Sequence, residues 1–189
     1  MFCNGMKRRG FTIIELIIVV TIMGILLTIG VVNLRGSQAN GRDAERKVDV
    51  DTIALHLETY YTSGTDGSTT IGTYPSTIIT SDVYSSVIAS LRDIDVKSIT
   101  SPGVDDPANS FTSATNNTQT KDGVMPKPYT STDVINQYNY IYQPIQSDGT
   151  LCTTALQECR KFNLYYKLEN ATTDCPAPNN ICMITSKNQ

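Results

Sequence analysis

Residues 7–16 read Lys7-Arg8-Arg9-Gly10-Phe11-Thr12-Ile13-Ile14-Glu15-Leu16, and this stretch decides how the chain is organised. Three cations end at a glycine, and an apolar run follows in which Glu15 is the only charged residue from Phe11 to Leu34. At about 1.5 Å per residue, those 24 residues form a helix of roughly 36 Å, enough to cross a hydrocarbon core of about 30 Å. Placing a carboxylate at the centre of a bilayer costs on the order of 3 kcal/mol of free energy, so Glu15 is expected to have a partner or a function.

The junction resembles the class III signal and N-terminal helix of type IV prepilins and type II secretion pseudopilins. Their shared pattern is a short basic leader, Gly, Phe, Thr or Ser, two or three apolar residues, Glu and then an apolar helix. The close likeness covers about Lys7 to Tyr61. It implies that a prepilin peptidase cuts between Gly10 and Phe11 and methylates the new α-amino group of Phe11. An ordinary secretory signal would instead place a small-residue cleavage site after a shorter apolar stretch.

The resemblance also implies a role for Glu15 in assembly. After cleavage, the α-amino group of Phe11 is a cation in apolar surroundings, and Glu15 of a neighbouring subunit would neutralise it. Leaving either charge unpaired is expensive, so the pair is expected to set the register between subunits. The apolar helix would exchange lipid for neighbouring helices in a filament core.

Charge and the basic leader indicate the compartment. Residues 1–10 hold three of the 15 basic residues and none of the 18 acidic ones, so the net charge falls from −3 to −6 once they are removed. An acidic remainder argues against sequence-specific binding of nucleic acid, which normally uses a basic face. The cluster from Lys7 to Arg9 holds the N-terminus in the cytoplasm. The resemblance then implies a subunit in the cytoplasmic membrane with its head outside, and after assembly an extracellular pilus.

Cysteine usage fits an oxidising exterior. Cys3 lies in the leader, whereas Cys152, Cys159, Cys175 and Cys182 lie near the C-terminus. Six residues separate the members of each close pair, more than the two to four usual for zinc sites, so two disulfides are favoured over a metal. Three connectivities are possible. The prediction is Cys152 with Cys159 and Cys175 with Cys182, which closes two short loops around an intervening strand.

The helix is predicted to continue beyond the apolar run. Five residues recur at helical spacing and define one amphipathic face: Val50, Ile53, Ala54, Leu57 and Tyr61. The pairs Asp43 with Lys47 and Glu45 with Asp49 are expected on the solvent side. The predicted organisation is a leader at 1–10, a transmembrane and filament-core helix at 11–34, an amphipathic continuation at 35–61 and a globular head at 62–189.

The head is predicted to be a small antiparallel sheet packed on the amphipathic half of the helix, an α+β fold like that of pilins. Three aromatic or apolar segments are expected to be its strands: Tyr138–Ile145, Phe162–Glu169 and Ile181–Thr185. A short helix is expected at Asp82–Leu91 behind Ser81 as N-cap. The polar segment Thr100–Thr132 is expected to be a loop.

No catalytic constellation is predicted, and no metal or cofactor. His56 is alone on the helix, where a surface or interface histidine is the favoured interpretation. Asp105 and Asp106, with Asn109 and Asp122 nearby, have oxygen ligands that suit calcium, but their spacing matches no calcium loop, so a solvated loop is favoured and calcium binding stays open. Asn116 and Asn170 begin glycosylation sequons, a weak signal that also stays open.

Together these observations predict a structural subunit of a type IV pilus and not an enzyme. Its implied partners are other pilin subunits, the prepilin peptidase and the pilus assembly machinery in the membrane. Such filaments serve attachment, twitching motility or DNA uptake. A pseudopilin of a type II secretion system has the same signal and is the first alternative. A single-pass, membrane-anchored surface protein is the second.

Overall fold

A long helix, α1, runs from Ile13 to Ser63 and is the first element of the chain. The computed structural model describes residues 10–64, 71–80, 84–104, 110–125 and 139–188. The chain falls into two compact units, Met1–Ala39 and Asn40–Gln189, which are described in turn. The predicted boundaries at residues 34 and 61 remain predictions.

In the first unit, the described residues form the N-terminal part of α1. Its large apolar side chains are exposed, from Val19 at 47% to Ile13 at 80% of their accessible surface, and Phe11 just before the helix is 87% exposed. Among the described residues, α1 is the one helix long and apolar enough to cross a membrane, judged by length and composition. A helix that is apolar on all sides is stable only inside a membrane or among other helices.

The second unit combines the rest of α1 with short helices and a four-stranded sheet. The helix α2 spans Tyr84–Ser90, and two 3₁₀ turns span Thr77–Thr80 and Val96–Ile99. The strands, in sheet order, are β1 (Phe111–Ser113), β2 (Tyr140–Gln146), β3 (Cys159–Lys167) and β4 (Ile181–Thr185). The predicted α+β, pilin-like layout is therefore confirmed.

The sheet is mixed, which corrects the prediction of an antiparallel sheet. β2, β3 and β4 are antiparallel neighbours as expected, but β1 pairs with β2 in parallel, with Phe111 opposite Tyr140. β1 lies inside Thr100–Thr132, which was predicted to be a loop. Three residues are too few to show the alternating pattern of a strand in the sequence. They form a strand because pairing with β2 satisfies their backbone hydrogen bonds.

The amphipathic face of α1 packs on one side of this sheet, as predicted. Val50, Ile53 and Leu57 are fully buried, and Ala54 and Tyr61 are partly buried against the same core. The strands contribute alternate residues to it, namely Tyr140, Tyr142, Phe162, Leu164, Tyr166 and Cys182. A second, smaller core with Ile141, Tyr165 and Ile181 covers the opposite side of the sheet.

The short helix is confirmed in its central part. α2 buries Val87, and Leu91 follows it in the same core. The predicted cap Ser81 and the first predicted residues, Asp82 and Val83, lie outside the described residues.

Candidate functional site: the start of the helix and its anchors to the head

Residues Gly10 to Thr12 precede the first helical residue, Ile13. The peptide bond between Gly10 and Phe11 therefore lies outside the helix, and both residues are exposed. Exposed backbone outside regular structure is where proteases cut most readily, and the bond of the predicted cleavage lies in such a segment. A Cβ at Gly10 would meet no atom within 4 Å.

Thr12 and Glu15 cap the helix reciprocally. The Thr12 backbone N–H and hydroxyl donate to Oε2 of Glu15 at 2.9 and 2.8 Å, and the Glu15 N–H donates to Oγ1 of Thr12 at 3.3 Å. This is a capping box, in which each side chain satisfies a backbone donor left free by the helix start. The carboxylate also lies at the positive end of the helix dipole.

The capping box gives Glu15 a partner within its own chain, which the sequence reasoning missed. The pattern Thr12-x-x-Glu15 ahead of an apolar run was the signal that would have found it. Its hydrogen bonds cap the start of the helix, and its carboxylate contacts Thr12, the residue that follows Phe11.

A buried charge cluster anchors α1 to the connection after β3. The Arg46 guanidinium, 1% exposed, lies 2.9 Å from Oδ1 of Asp43 and 3.0 Å from Oε1 of Glu169. Arg42 makes a two-pronged contact with Glu169 at 2.7 and 2.6 Å. The Asp43 carboxylate accepts the backbone N–H groups of Glu169 and Asn170 at 2.8 and 3.0 Å. We call this set the clamp.

Asp43 and Asp49 were predicted to face solvent, and the structure corrects this for both. Asp43 and Asp49 are buried, at 7% and 6% exposure, whereas Lys47 is exposed. The spacing of the charged residues correctly indicated a helix. The error was to assume that a charged side chain faces water, since a buried charge is tolerated when it is paired and hydrogen-bonded.

The charges of the clamp depend on one another. Hydrogen bonds from Arg42, with Arg46 beside it, lower the pKa of Glu169 to about 2. A depressed carboxyl pKa contributes stability that is present above the ordinary value of 4.5 and lost as the pH falls toward 2. The clamp is therefore intact at neutral pH.

Two more acids on α1 anchor the helix farther along. Tyr140 of β2 donates its hydroxyl to Oδ2 of Asp49 at 2.7 Å. Burial raises the pKa of Asp49 to about 6, so its ionisation makes the head less stable as the pH rises from 3.8 through about 6. Glu58 accepts the backbone N–H of Lys187 and the Asn188 side chain, both at 2.7 Å, which fastens the chain after β4.

The four C-terminal cysteines lie at disulfide distance in the predicted pairs. The Cα–Cα distance is 5.8 Å for Cys152 and Cys159 and 4.8 Å for Cys175 and Cys182, inside the range that a disulfide spans. All four side chains are buried in the core between α1 and the sheet. Each pair connects a loop to a strand, β3 in the first case and β4 in the second.

Peptide mapping of the non-reduced protein is expected to recover both bonds, Cys152–Cys159 and Cys175–Cys182. Each closes a short loop, which in the chain-entropy model stabilises the fold by roughly 2–3 kcal/mol. Replacing Cys175 and Cys182 together by serine is expected to lower the free energy of unfolding by about that amount. Free thiols or crossed pairs in protein isolated from the cell exterior would contradict this prediction.

The remaining candidate residues do not form a site among the described residues. His56 is half-buried on α1. Asp122 accepts a hydrogen bond from Asn179 at 2.7 Å, while Asp105, Asp106 and Asn109 lie outside the described residues. In the part of the chain that the structure describes, no three His, Cys, Asp or Glu side chains are grouped as for a metal ion.

The two glycosylation sequons have their amide nitrogens engaged. The Asn170 side-chain amide donates to Asp43 at 3.0 Å, within the clamp. The Asn116 amide donates to the Gly123 carbonyl at 2.7 Å. Asn170 Nδ2 also donates to Oδ1 of Asn40 at 3.2 Å, so a glycan there would replace a hydrogen that is already in use.

Comparison with protein-family models matches residues 5–31 to the prokaryotic N-terminal methylation motif, the type IV prepilin-like signal motif. The match includes Gly10, Phe11, Thr12 and Glu15 and ends within the exposed apolar part of α1. Comparisons with curated proteins and with solved structures gave no match. The motif implies membrane anchoring, processing by a prepilin peptidase and assembly with pilin-type subunits.

Proposed function

We propose that this chain, which carries the type IV prepilin-like signal motif, is a structural subunit of a type IV pilus. Before assembly, the subunit is anchored in the cytoplasmic membrane with its head outside. The prepilin peptidase removes residues 1–10, and the subunit then enters a filament through the apolar part of α1. The activity is mechanical and no catalytic group is needed.

The observation that carries this proposal is the motif at the start of a helix whose described large apolar side chains are exposed as far as Leu34. From Phe11 to Leu34, the described large apolar side chains have no protein core around them. Such a surface is stable in lipid, and equally among identical helices after extraction from lipid. A filament core of parallel helices provides the second environment, and the signal motif is what directs a subunit there.

An ion pair made by Glu15 distinguishes assembly into a filament from simple anchoring in the membrane. In the isolated subunit its carboxylate is occupied by Thr12 of the same chain. After processing, the methylated amine of Phe11 adds a cation beside the start of the helix. In a filament, Glu15 of one subunit meets the Phe11 amine of the next, and the cost of an unpaired charge rejects any other register.

The head contributes a rigid body that is fastened to the helix along several turns. The clamp, the contact of Asp49 with Tyr140 and the contacts of Glu58 each join α1 to a different part of the head. A subunit that carries force along a filament requires such a connection, because a head that slid along α1 would change the spacing between copies.

Replacing Gly10 by isoleucine is expected to leave an uncut precursor in the membrane and to abolish filaments. Open space around Gly10 means that the bulky side chain disturbs the peptidase and not the fold. The measurement is the mass and N-terminal sequence of the membrane-bound subunit. Wild-type filaments sheared from the surface are expected to yield a subunit beginning at N-methylated Phe11.

The matched control is Gly5→Ile, the same change in the leader but away from the bond, which is expected to leave processing normal. Wild-type processing of Gly10→Ile would refute the cleavage assignment. The alternative is a secretion pseudopilus. It is supported if wild-type cells form no surface filaments and deletion of the gene for this chain stops protein secretion.

A further inference from the structure

Two adjoining grooves share the side chain of Tyr60 near the end of α1. The first has a volume of about 340 Å³ and is lined by α1 and by Arg92 and Asp93, which follow α2. The second has a volume of about 190 Å³ and is lined in part by α2 and by the turn before β3. Ser90 also lines both, so we treat them as one site and call it the Tyr60 groove. The first part alone has the volume of a small-molecule site, which is roughly 300–1,000 Å³.

The Tyr60 groove contains hydroxyl groups that the fold does not use. Tyr60, Ser86 and Ser90 line it and are half-buried, and their hydroxyls make no hydrogen bond to any of the described residues. Thr59 differs, because its hydroxyl donates to the carbonyl of Leu55 at 2.9 Å. Hydroxyls that lack a protein partner bond to water, and a ligand displaces that water without loss only if it offers hydrogen bonds in return.

The charges of the groove disfavour a strongly charged ligand. Arg92 and Asp93 are adjacent in the chain, are both exposed and bring one charge of each sign to the same groove. A phosphate or carboxylate attracted by the guanidinium is repelled by the carboxylate, and a cation meets the opposite arrangement. A neutral ligand rich in hydroxyl groups can use both side chains, because the guanidinium donates hydrogen bonds and the carboxylate accepts them.

The ring of Tyr60 adds an apolar surface between these polar groups. The side chain packs against the main core of the head, so its position is fixed before a ligand arrives. A fixed aromatic ring offers contact area at a low cost in conformational entropy. The complementary ligand therefore has an apolar face and a rim of groups that both donate and accept hydrogen bonds. A sugar ring has this form, with C–H groups on its faces and hydroxyls around its edge.

We propose that the Tyr60 groove binds a neutral sugar of one or two rings. The Tyr60 ring covers a C–H face of the sugar, and Asp93 accepts hydrogen bonds from its hydroxyls. Arg92 and the hydroxyl of Ser90 supply donors, which fixes the orientation of the sugar in the groove. The site lies wholly within the head, so this binding is separate from assembly through α1 and does not depend on the proposed pilus function.

Saturation-transfer NMR with the full-length chain in detergent tests the binding. The probes are three neutral disaccharides, namely cellobiose, lactose and N,N′-diacetylchitobiose, and one anionic disaccharide, digalacturonic acid. At least one neutral probe is expected to bind with a Kd below about 1 mM and more tightly than digalacturonic acid. Failure of all three neutral probes to bind, or tighter binding of the anionic probe, would overturn the proposal.

Two tryptophan variants locate the site. Thr59→Trp fills the first part of the groove, whereas Thr62→Trp places the same side chain one turn farther along α1, outside the groove. Thr59 and Thr62 are both exposed, and both hydroxyls donate to carbonyls of the helix, so the two changes are matched. Binding of the neutral probe is expected to be lost in Thr59→Trp and unchanged in Thr62→Trp. Equal affinities of the two variants would show that the sugar binds elsewhere.

Asp93→Asn removes the negative charge and leaves the shape of the groove. Asp93 has a φ of 58°, and asparagine adopts this left-handed conformation as readily as aspartate. The Kd of the neutral probe is expected to rise by about tenfold or more, because hydrogen bonds to a charged acceptor are the stronger ones. Near-UV circular dichroism shows whether each variant has kept its fold. An unchanged Kd in folded Asp93→Asn would contradict the proposed role of the carboxylate and with it the site.

Discussion

Replacing Glu15 by alanine is expected to abolish surface filaments while the subunit remains in the membrane at the wild-type level. In the filament, the change leaves the Phe11 amine without its partner, and breaking a buried pair costs about 3–5 kcal/mol. A loss of that size lowers the association constant for the addition of each subunit by more than about 100-fold. The measurement compares sheared filaments with membrane-bound subunit at matched expression.

The capping box makes a sharper design possible, because Glu15 has both a hydrogen-bonding and an electrostatic use. Glu15→Gln retains an acceptor for the Thr12 N–H and removes the charge. Thr12→Ala weakens the cap and retains the charge. If charge sets the register, the glutamine variant fails almost as completely as alanine and the Thr12 variant assembles. If the cap is what matters, the two outcomes are reversed, and the register hypothesis is wrong.

The sequence predicted the features of α1 that repeat and missed those that depend on distant partners. Val50, Ile53 and Leu57 share one face through the helical period, and all three are buried. Arg46 belongs to the same helix, yet its partner Glu169 is 123 residues away in the sequence. A local pattern contains no information on that pairing, so the burial of Arg46 and Asp43 required the structure.

The strands also differ in how far a local sequence pattern predicts them. β4 was predicted with its observed limits, Ile181–Thr185, because its apolar residues are bounded by turn residues on both sides. β3 begins at Cys159, three residues before its predicted start at Phe162. Arg160 and Lys161 are charged, so the sequence there resembles a loop, and it is the pairing of Cys159 and Lys161 with β2 that extends the strand to this point.

Replacing Arg46 by leucine is expected to destabilise the head by about 3–5 kcal/mol, the usual cost of removing one partner of a buried ion pair. Asp43 would remain buried beside an apolar side chain, and Glu169 would lose one of its two cations. For a domain of this size the unfolding temperature falls on the order of 10 °C. The measurement is thermal unfolding of the full chain in detergent, followed by near-UV circular dichroism of the buried tyrosines, since the helix dominates the far-UV signal.

Arg42→Leu is the matched control, because it removes the other cation that contacts Glu169. The Arg42 side chain is 39% exposed, so water replaces much of what is lost, and the expected cost is about 1 kcal/mol or less. A marked difference between the two variants indicates that burial, and not the number of ion pairs, determines what the clamp contributes. Equally small effects of about 1 kcal/mol or less would mean that the loss of Arg46 is compensated by rearrangement around Asp43. The clamp would then not be what fastens the head to α1, and the contacts of Asp49 and Glu58 would have to serve instead.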